Sequence, residues 1–163
     1  MIKKFKSIQE SQVSITQLML PSHSNFSGKI HGGHILNLMD QIAFACASKH
    51  SGNYCVTASV NKVDFLNPIE VGELVTMKAS VNYTGRTSMV IGLRVESENV
   101  RTGKVKHCNS SYFTMVAKFT VGFGTVIVNV DKVIVSLTKV DEPCGVYVYS
   151  TLRMYSVSGS KDH

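Results

Sequence analysis

One carboxylate stands alone in an apolar stretch. Residues 25–50 read NFSGKIHGGHILNLMDQIAFACASKH; between Ile35 and Ala47 only Asn37, Asp40 and Gln41 are polar, and Asp40 is the sole charge. Such a carboxylate is costly unless it is paired or has chemical work to do. Just before it, Gly32-Gly33 lets the backbone bend and another molecule approach closely. If a helix starts there, its first-turn N–H groups are free and favour negative charge. One short segment then offers donors for a developing oxyanion and, further along, a carboxylate. A plain turn at Gly32-Gly33 with Asp40 as a satisfied core acid fits this segment equally well.

The elements that must position these groups follow from periodicity. Helical spacing puts Ile35, Leu38, Met39, Ile42 and Cys46 on one face. Asp40 shares another stripe with Gly33, Leu36, Ala43, Phe44 and Ala47. A helix apolar on nearly every side is expected to be buried. Its cap belongs near His31-Gly32-Gly33, and Ser51-Gly52-Asn53 ends it. Residues 12–20 alternate weakly as a first strand, and residues 21–25 form a loop. Residues 54–65 read as a strand whose parity slips near Asn61-Lys62, the mark of a bulge. Val75, Met77, Ala79, Val81 and Tyr83 alternate, as do Met89, Ile91, Leu93 and Val95; Thr84-Gly85-Arg86-Thr87 joins them as a hairpin. A turn at residues 101–104 leads to a last strand over 105–117. One strand, one long helix and four strands make an α+β fold in which an antiparallel sheet wraps the helix. The chain divides into a domain over 1–117 and a C-terminal segment over 118–163. Residues 126–130, 133–135 and 145–149 of that segment have strand composition, and it carries no chemical motif.

The chain has 163 residues with 44% hydrophobic and 17% charged content, enough for one domain with a real core. The formal net charge of +6 suits an anionic ligand, but it is spread along the chain. Lys3-Lys4-Phe5-Lys6 reads as a solvated N-terminus rather than a nucleic-acid arm. Cys46, Cys55, Cys108 and Cys144 show no CxxC spacing and read as reduced core thiols of an intracellular protein. Gln9-Glu10-Ser11-Gln12 stands where a signal peptide would need apolar residues, and no run reaches the ~20 apolar residues of a membrane span. A cytoplasmic protein without nucleic-acid or membrane partners is expected.

Three segments then fall into one order: Asn25-Phe26-Ser27-Gly28-Lys29-Ile30-His31-Gly32-Gly33 with Met39-Asp40; Val56-Thr57-Ala58-Ser59-Val60 with Phe65-Leu66-Asn67-Pro68-Ile69-Glu70-Val71-Gly72; and Gly85-Arg86-Thr87-Ser88-Met89. Together they resemble the hotdog-fold acyl-CoA thioesterases of the cytosolic (brain-type) acyl-CoA hydrolase family, over about residues 10–117. The resemblance implies the hotdog fold, a homodimer at least, with trimers of dimers as its extension, and hydrolysis of fatty acyl-CoA to free acid and CoA. It implies no metal and no cofactor, since CoA is part of the substrate. By the resemblance Asp40 is the catalytic carboxylate, and Asn25 completes the site from the neighbouring subunit. Gly33 supplies the backbone donor while Gly32 shapes the turn, and Arg86, Thr87 and Ser88 lie where CoA binds. After Ala117 the chain departs from the family pattern.

A thioester carbonyl needs a nucleophile and a place for its oxyanion. Asp40 would activate water or attack directly, and burial among Leu36, Ala43, Phe44 and Ala47 would raise its pKa. Two other readings remain. A hotdog hydroxyacyl thioester dehydratase would pair His31 with Asp40, and a non-catalytic acyl-CoA sensor would use the same pocket without turnover. His23, His50 and His107 have no metal-ligand spacing.

Overall fold

The computed structural model describes residues 6–121 and 124–127. A short helix α1 (Ile8–Ser11) precedes strand β1 (Val13–Leu18) and a single 3₁₀ turn (Pro21–His23). The long helix α2 (Gly32–Ser51) follows, and then β2 (Tyr54–Val60), β3 (Glu73–Thr84), β4 (Ser88–Asn99), β5 (Val105–Val121) and β6 (Gly124–Ile127). The strands form one antiparallel sheet in the order β1-β3-β4-β5-β2, with β6 paired to β5. Strand β2 therefore lies at an edge. This is the hotdog fold: a curled antiparallel sheet around one long helix.

Helix α2 opens on two glycines, each costing about 1 kcal/mol against Ala in a helix interior. Packing outweighs that cost, because Ile35, Leu38, Met39, Ile42 and Cys46 are buried, and one fully buried side chain of this size contributes roughly 1.5–3 kcal/mol. They meet Val75, Met77, Ala79 and Val81 of β3, Met89, Ile91, Leu93 and Val95 of β4, and Phe113, Met115 and Ala117 of β5 in one core. The helix ends on Gly52, whose φ of 70° gives a left-handed cap, with its N–H on the Ser48 carbonyl at 2.9 Å.

The expected strands recur with shifted details. Helix α1 was not anticipated; Ser7 and Glu10 close a capping box at its start. Lys6 is not merely solvated, since its Nζ donates to the His50 carbonyl at 2.6 Å, at the negative end of α2. Strand β2 stops at Val60, and its register slips between Thr57 and Ser59 rather than near Asn61-Lys62. Residues 61–67 still run beside β5, through Asn61 N–H to Tyr112 O and Leu66 N–H to Cys108 O. In β3 a slip between Val81 and Tyr83 turns Tyr83 outward. The Asn82 side chain there fills the space beside Gly92 of β4. A Cβ at Gly92 would stand 2.6 Å from Asn82 Oδ1, and the Gly92 N–H donates to that oxygen at 3.2 Å.

Strand β5 continues past Ala117 to Val121 and pairs with β6, so pairing crosses residue 117. The strands read at 133–135 and 145–149, with Cys144, lie outside the described residues. Cys46, Cys55 and Cys108 are free and buried. Burial pushes the Cys46 thiol up to about 12 and the Cys108 thiol up to about 11, so both are inert thiols. Among the described residues no helix is long and apolar enough to cross a membrane.

The end of the sheet remote from the β3–β4 hairpin is tied by Glu73, a buried carboxylate at the start of β3. Its Oε2 accepts from Ser97 Oγ at 2.5 Å and from the Glu70 N–H at 3.0 Å, and its Oε1 pairs with Lys106 Nζ at 2.9 Å. Desolvation pushes the carboxyl upward. The Glu70 N–H, the Ser97 hydroxyl and the Lys106 ammonium together outweigh it and hold the group below its ordinary value.

Candidate active site

Helix α2 is not buried all round. Gly33, Asn37, Asp40, Gln41 and Phe44 form an exposed stripe along it. Asp40 is on that stripe, so the expected burial among Leu36, Ala43, Phe44 and Ala47 does not occur within one chain. Ala43 and Ala47 face the core instead. The apolar run misled because alanines and a cysteine suit a helix that packs closely on one side and stays thin on the other.

The carboxylate is held from the edge strand. Thr57 Oγ1 of β2 donates to Asp40 Oδ1 at 2.5 Å and lies 3.4 Å from Met115 Sδ. The hydroxyl has one proton, and the carboxylate is the stronger acceptor. Asp40 Oδ2 takes no hydrogen bond among the described residues. Thr57 is the functional candidate that sequence reading passed over. It sat inside a quoted motif, but helix and strand are separate in sequence, and only the sheet pairing brings them together.

Gly32 opens α2 with His31 as N-cap, and His31 makes no side-chain capping bond. The first-turn N–H groups of Gly32 and Gly33 are thus left open. A Cβ at Gly32 would come within 3.3 Å of the Phe65 ring, whereas one at Gly33 would meet only His31 Nδ1 at 3.6 Å. A side chain at Gly32 would press on the Phe65 ring within the chain. Gly33 faces outward and keeps its surroundings clear.

Asn25 lies in the loop before α2. Its Oδ1 accepts from the Ser27 N–H at 3.0 Å, the Ser27 hydroxyl at 2.8 Å and the Lys29 N–H at 3.1 Å. Asn25, Lys29, Gly32 and residues 65–69 line a groove of about 350 Å³, and Lys29 pairs with Glu70 at its side. Within one chain Asn25 lines this groove, and Asp40 is not among the lining residues. Arg86, Thr87 and Ser88 form the β3–β4 hairpin. Arg86 is exposed, Thr87 O accepts the Ala117 N–H at 3.3 Å, and Ser88 O accepts the Gly85 N–H at 2.7 Å. Ser88 is registered with Val116, one residue from the Met115 beneath Thr57. The hairpin therefore lies at the Asp40 end of the sheet.

The remaining histidines have other company. His34 stacks on His23, with ring centroids 3.9 Å apart and planes 19° apart. Burial, and then the neighbouring His23, hold His34 below its ordinary value. His50 is buried at the end of α2 and also held low, chiefly by desolvation. Among the described residues no three His, Cys, Asp or Glu side chains gather as a metal site would require.

Residues 27–104 match the family model described as Thioesterase superfamily. An acyl-CoA thioesterase solved as an apo hexamer is 36% identical, with 80% of this chain and 83% of that one covered at a TM-score of 0.71.

The chain belongs to the thioesterase superfamily.

The acyl-CoA hydrolase of Staphylococcus aureus, solved with butyryl coenzyme A, coenzyme A and coenzyme A disulfide, is similar in the same way. It is 31% identical to this chain, with 82% of this chain and 79% of that one covered and a TM-score of 0.71. That hydrolase has also been studied with an Asp, a Thr and an Asn each replaced by Ala, the Asn variant in complex with coenzyme A. Protein VdlD of Helicobacter pylori is 43% identical over 107 residues, 66% of this chain and 62% of VdlD. The matched segment thus spans less than two thirds of that relative's length.

Proposed function

We propose that this thioesterase hydrolyses fatty acyl-CoA to free acid and CoA, with Asp40 as the reacting carboxylate. The observation that carries this reading is Asp40 itself: an exposed carboxylate on a largely apolar helix, gripped by Thr57 on one oxygen. The Asn, Asp and Thr replaced in the Staphylococcus aureus hydrolase stand in the order and at the spacing of Asn25, Asp40 and Thr57, which supports the same roles here.

The chemistry then runs through few groups. Asp40 takes a proton from water as the water oxygen attacks the thioester carbon. The carbonyl electrons move onto oxygen, where the Gly33 N–H receives them. Collapse of the tetrahedral intermediate expels the CoA thiolate, and the proton held by Asp40 neutralises it. Direct attack by Asp40 would instead form a mixed anhydride that water later opens. Arg86 binds CoA phosphate, with Thr87 and Ser88 beside it.

The helix geometry argues for two chains per site. Gly33 and Asp40 are about 10 Å apart along α2 at ~1.5 Å per residue, whereas reacting atoms must approach to roughly 3–3.5 Å. A two-fold partner resolves this: Asn25 and Gly33 of one chain face Asp40 and Thr57 of the other. Phe26 at 114% exposure, Tyr54 at 65% and Leu66 at 59% are apolar surface that such a partner covers. The assembly is a homodimer at least, extended to a trimer of dimers, in the cytoplasm, with neither nucleic acid nor membrane as partner.

Thiol release from a series of acyl-CoA chain lengths tests the reading, with EDTA present and absent. Turnover indifferent to EDTA is expected. Acyl-CoA binding without turnover would favour a sensor, and loss of water from a hydroxyacyl thioester would favour a dehydratase.

A further inference from the structure

We propose that Ser27 is a positioning residue that makes the Asn25 side chain a hydrogen-bond donor; this rests on the reading of Asn25 as a site group. Three donors converge on Asn25 Oδ1: the Ser27 N–H, the Ser27 hydroxyl and the Lys29 N–H, at 3.0, 2.8 and 3.1 Å. An amide oxygen has two lone pairs, so its accepting capacity is used up inside the loop. The flipped amide is excluded, because it would set its own N–H groups against those donors. The backbone makes the arrangement stiff. Asn25 N–H donates to Lys29 O at 2.7 Å, Gly28 N–H to Asn25 O at 3.0 Å, and Gly28 takes the left-handed φ of 76° that closes the turn.

What remains is the Asn25 amide nitrogen, whose N–H groups have no partner among the described residues. Asn25 therefore offers donors to a carbonyl oxygen or to a water, and cannot itself accept a proton. Two of the three bonds that impose this come from backbone N–H groups and remain in any substitution other than proline. The Ser27 hydroxyl is the one contribution that depends on residue type. Ser27 is exposed, so replacing it leaves the core untouched.

The test uses the full-length protein with butyryl-CoA and palmitoyl-CoA, comparing Ser27→Ala, Ser27→Thr, Asn25→Ala and the double variant Ser27→Ala/Asn25→Ala. Ser27→Ala should lower kcat by about 2- to 10-fold, the worth of one neutral hydrogen bond, at unchanged KM. Ser27→Thr should restore kcat. In single-turnover assays at high enzyme concentration, Ser27→Ala should add nothing to the loss in the Asn25→Ala background, since its effect passes through that amide. Wild-type kcat in Ser27→Ala beside an inactive Asn25→Ala would overturn the positioning role alone. So would an equal Ser27→Ala loss in both backgrounds. Wild-type activity in Asn25→Ala, or no turnover by the unmodified protein, would overturn the reading of the site and this inference with it.

Discussion

Thr57 and Asp40 come from different elements, and their side chains meet at 2.5 Å. The sheet's edge strand thereby sets the direction of a carboxylate carried by the central helix. A hydroxyl donating to one carboxylate oxygen fixes the direction of the group and leaves the other oxygen for chemistry. Thr57 also lies over Met115 of β5, so β2, α2 and β5 share the job of holding one carboxylate.

Replacing these two residues should separate base from support. Asp40→Asn should lower kcat by about 10²–10⁴, the usual contribution of a general base. Thr57→Val should cost about 10-fold with KM nearly constant, because an interaction with the reacting group shows in kcat. Thr57→Ser, which keeps the hydroxyl, should stay near wild type. Steady-state thiol release measures all three, and a wild-type kcat for Thr57→Val would remove Thr57 from the site.

Arg86→Ala should raise KM for acyl-CoA more than it lowers kcat, since a phosphate contact remote from the thioester helps ground and transition states alike. Acyl-pantetheine, which lacks the nucleotide phosphates, should be nearly indifferent to the change. Equal losses on both substrates would exclude phosphate binding by this residue.

Asn25→Ala and Asp40→Ala proteins should each be nearly inactive as separate preparations. After mixing by reversible unfolding, activity should return to roughly a quarter of wild type. Random pairing makes about half of the dimers mixed, and each mixed dimer has one undamaged site out of two. Native mass spectrometry reports whether mixed dimers formed. Their presence without recovered activity would mean that both residues serve one site from one chain.

Glu73 sets a pH dependence of stability. Its folded carboxyl lies below the ordinary 4.5, so its contribution is complete above that value. It is lost as pH falls through the lower folded value. Glu73→Gln should destabilise by roughly 1–3 kcal/mol at pH 7, the scale of hydrogen bonds to a charged group. The gap between the two proteins should narrow as pH drops below about 4. Urea unfolding at several pH values measures it; a gap that is constant with pH would rule out ionised Glu73 as the cause.

Local signals made much of this legible in advance. Gly32-Gly33 and Gly52 marked both ends of α2, alternation marked β3 and β4, because those strands have one face on the core, and the turn at residues 101–104 marked the start of β5. The edge strand was harder. Residues 61–65 follow β5 without regular pairing, so their strand-like composition overstated β2. The exposure of Asp40 was not legible either. Small apolar residues look alike whether they face a sheet or the open side of a helix. Thr57 was missed because its pairing partner lies on another element, and no local period points to it.

The amide of Asn82 occupying the space beside Gly92 couples two positions in how this sequence can drift. A methyl at position 92 needs the Asn82 amide to swing away, and the obstacle is the end of a flexible, half-buried side chain. The cost is then counted in hydrogen bonds: the amide oxygen gives up the Gly92 N–H and the Ser80 hydroxyl. Shortening Asn82, for instance to Ser, removes the obstacle and forfeits the same bonds. Descendants of this chain should thus show the two positions changing together more often than apart.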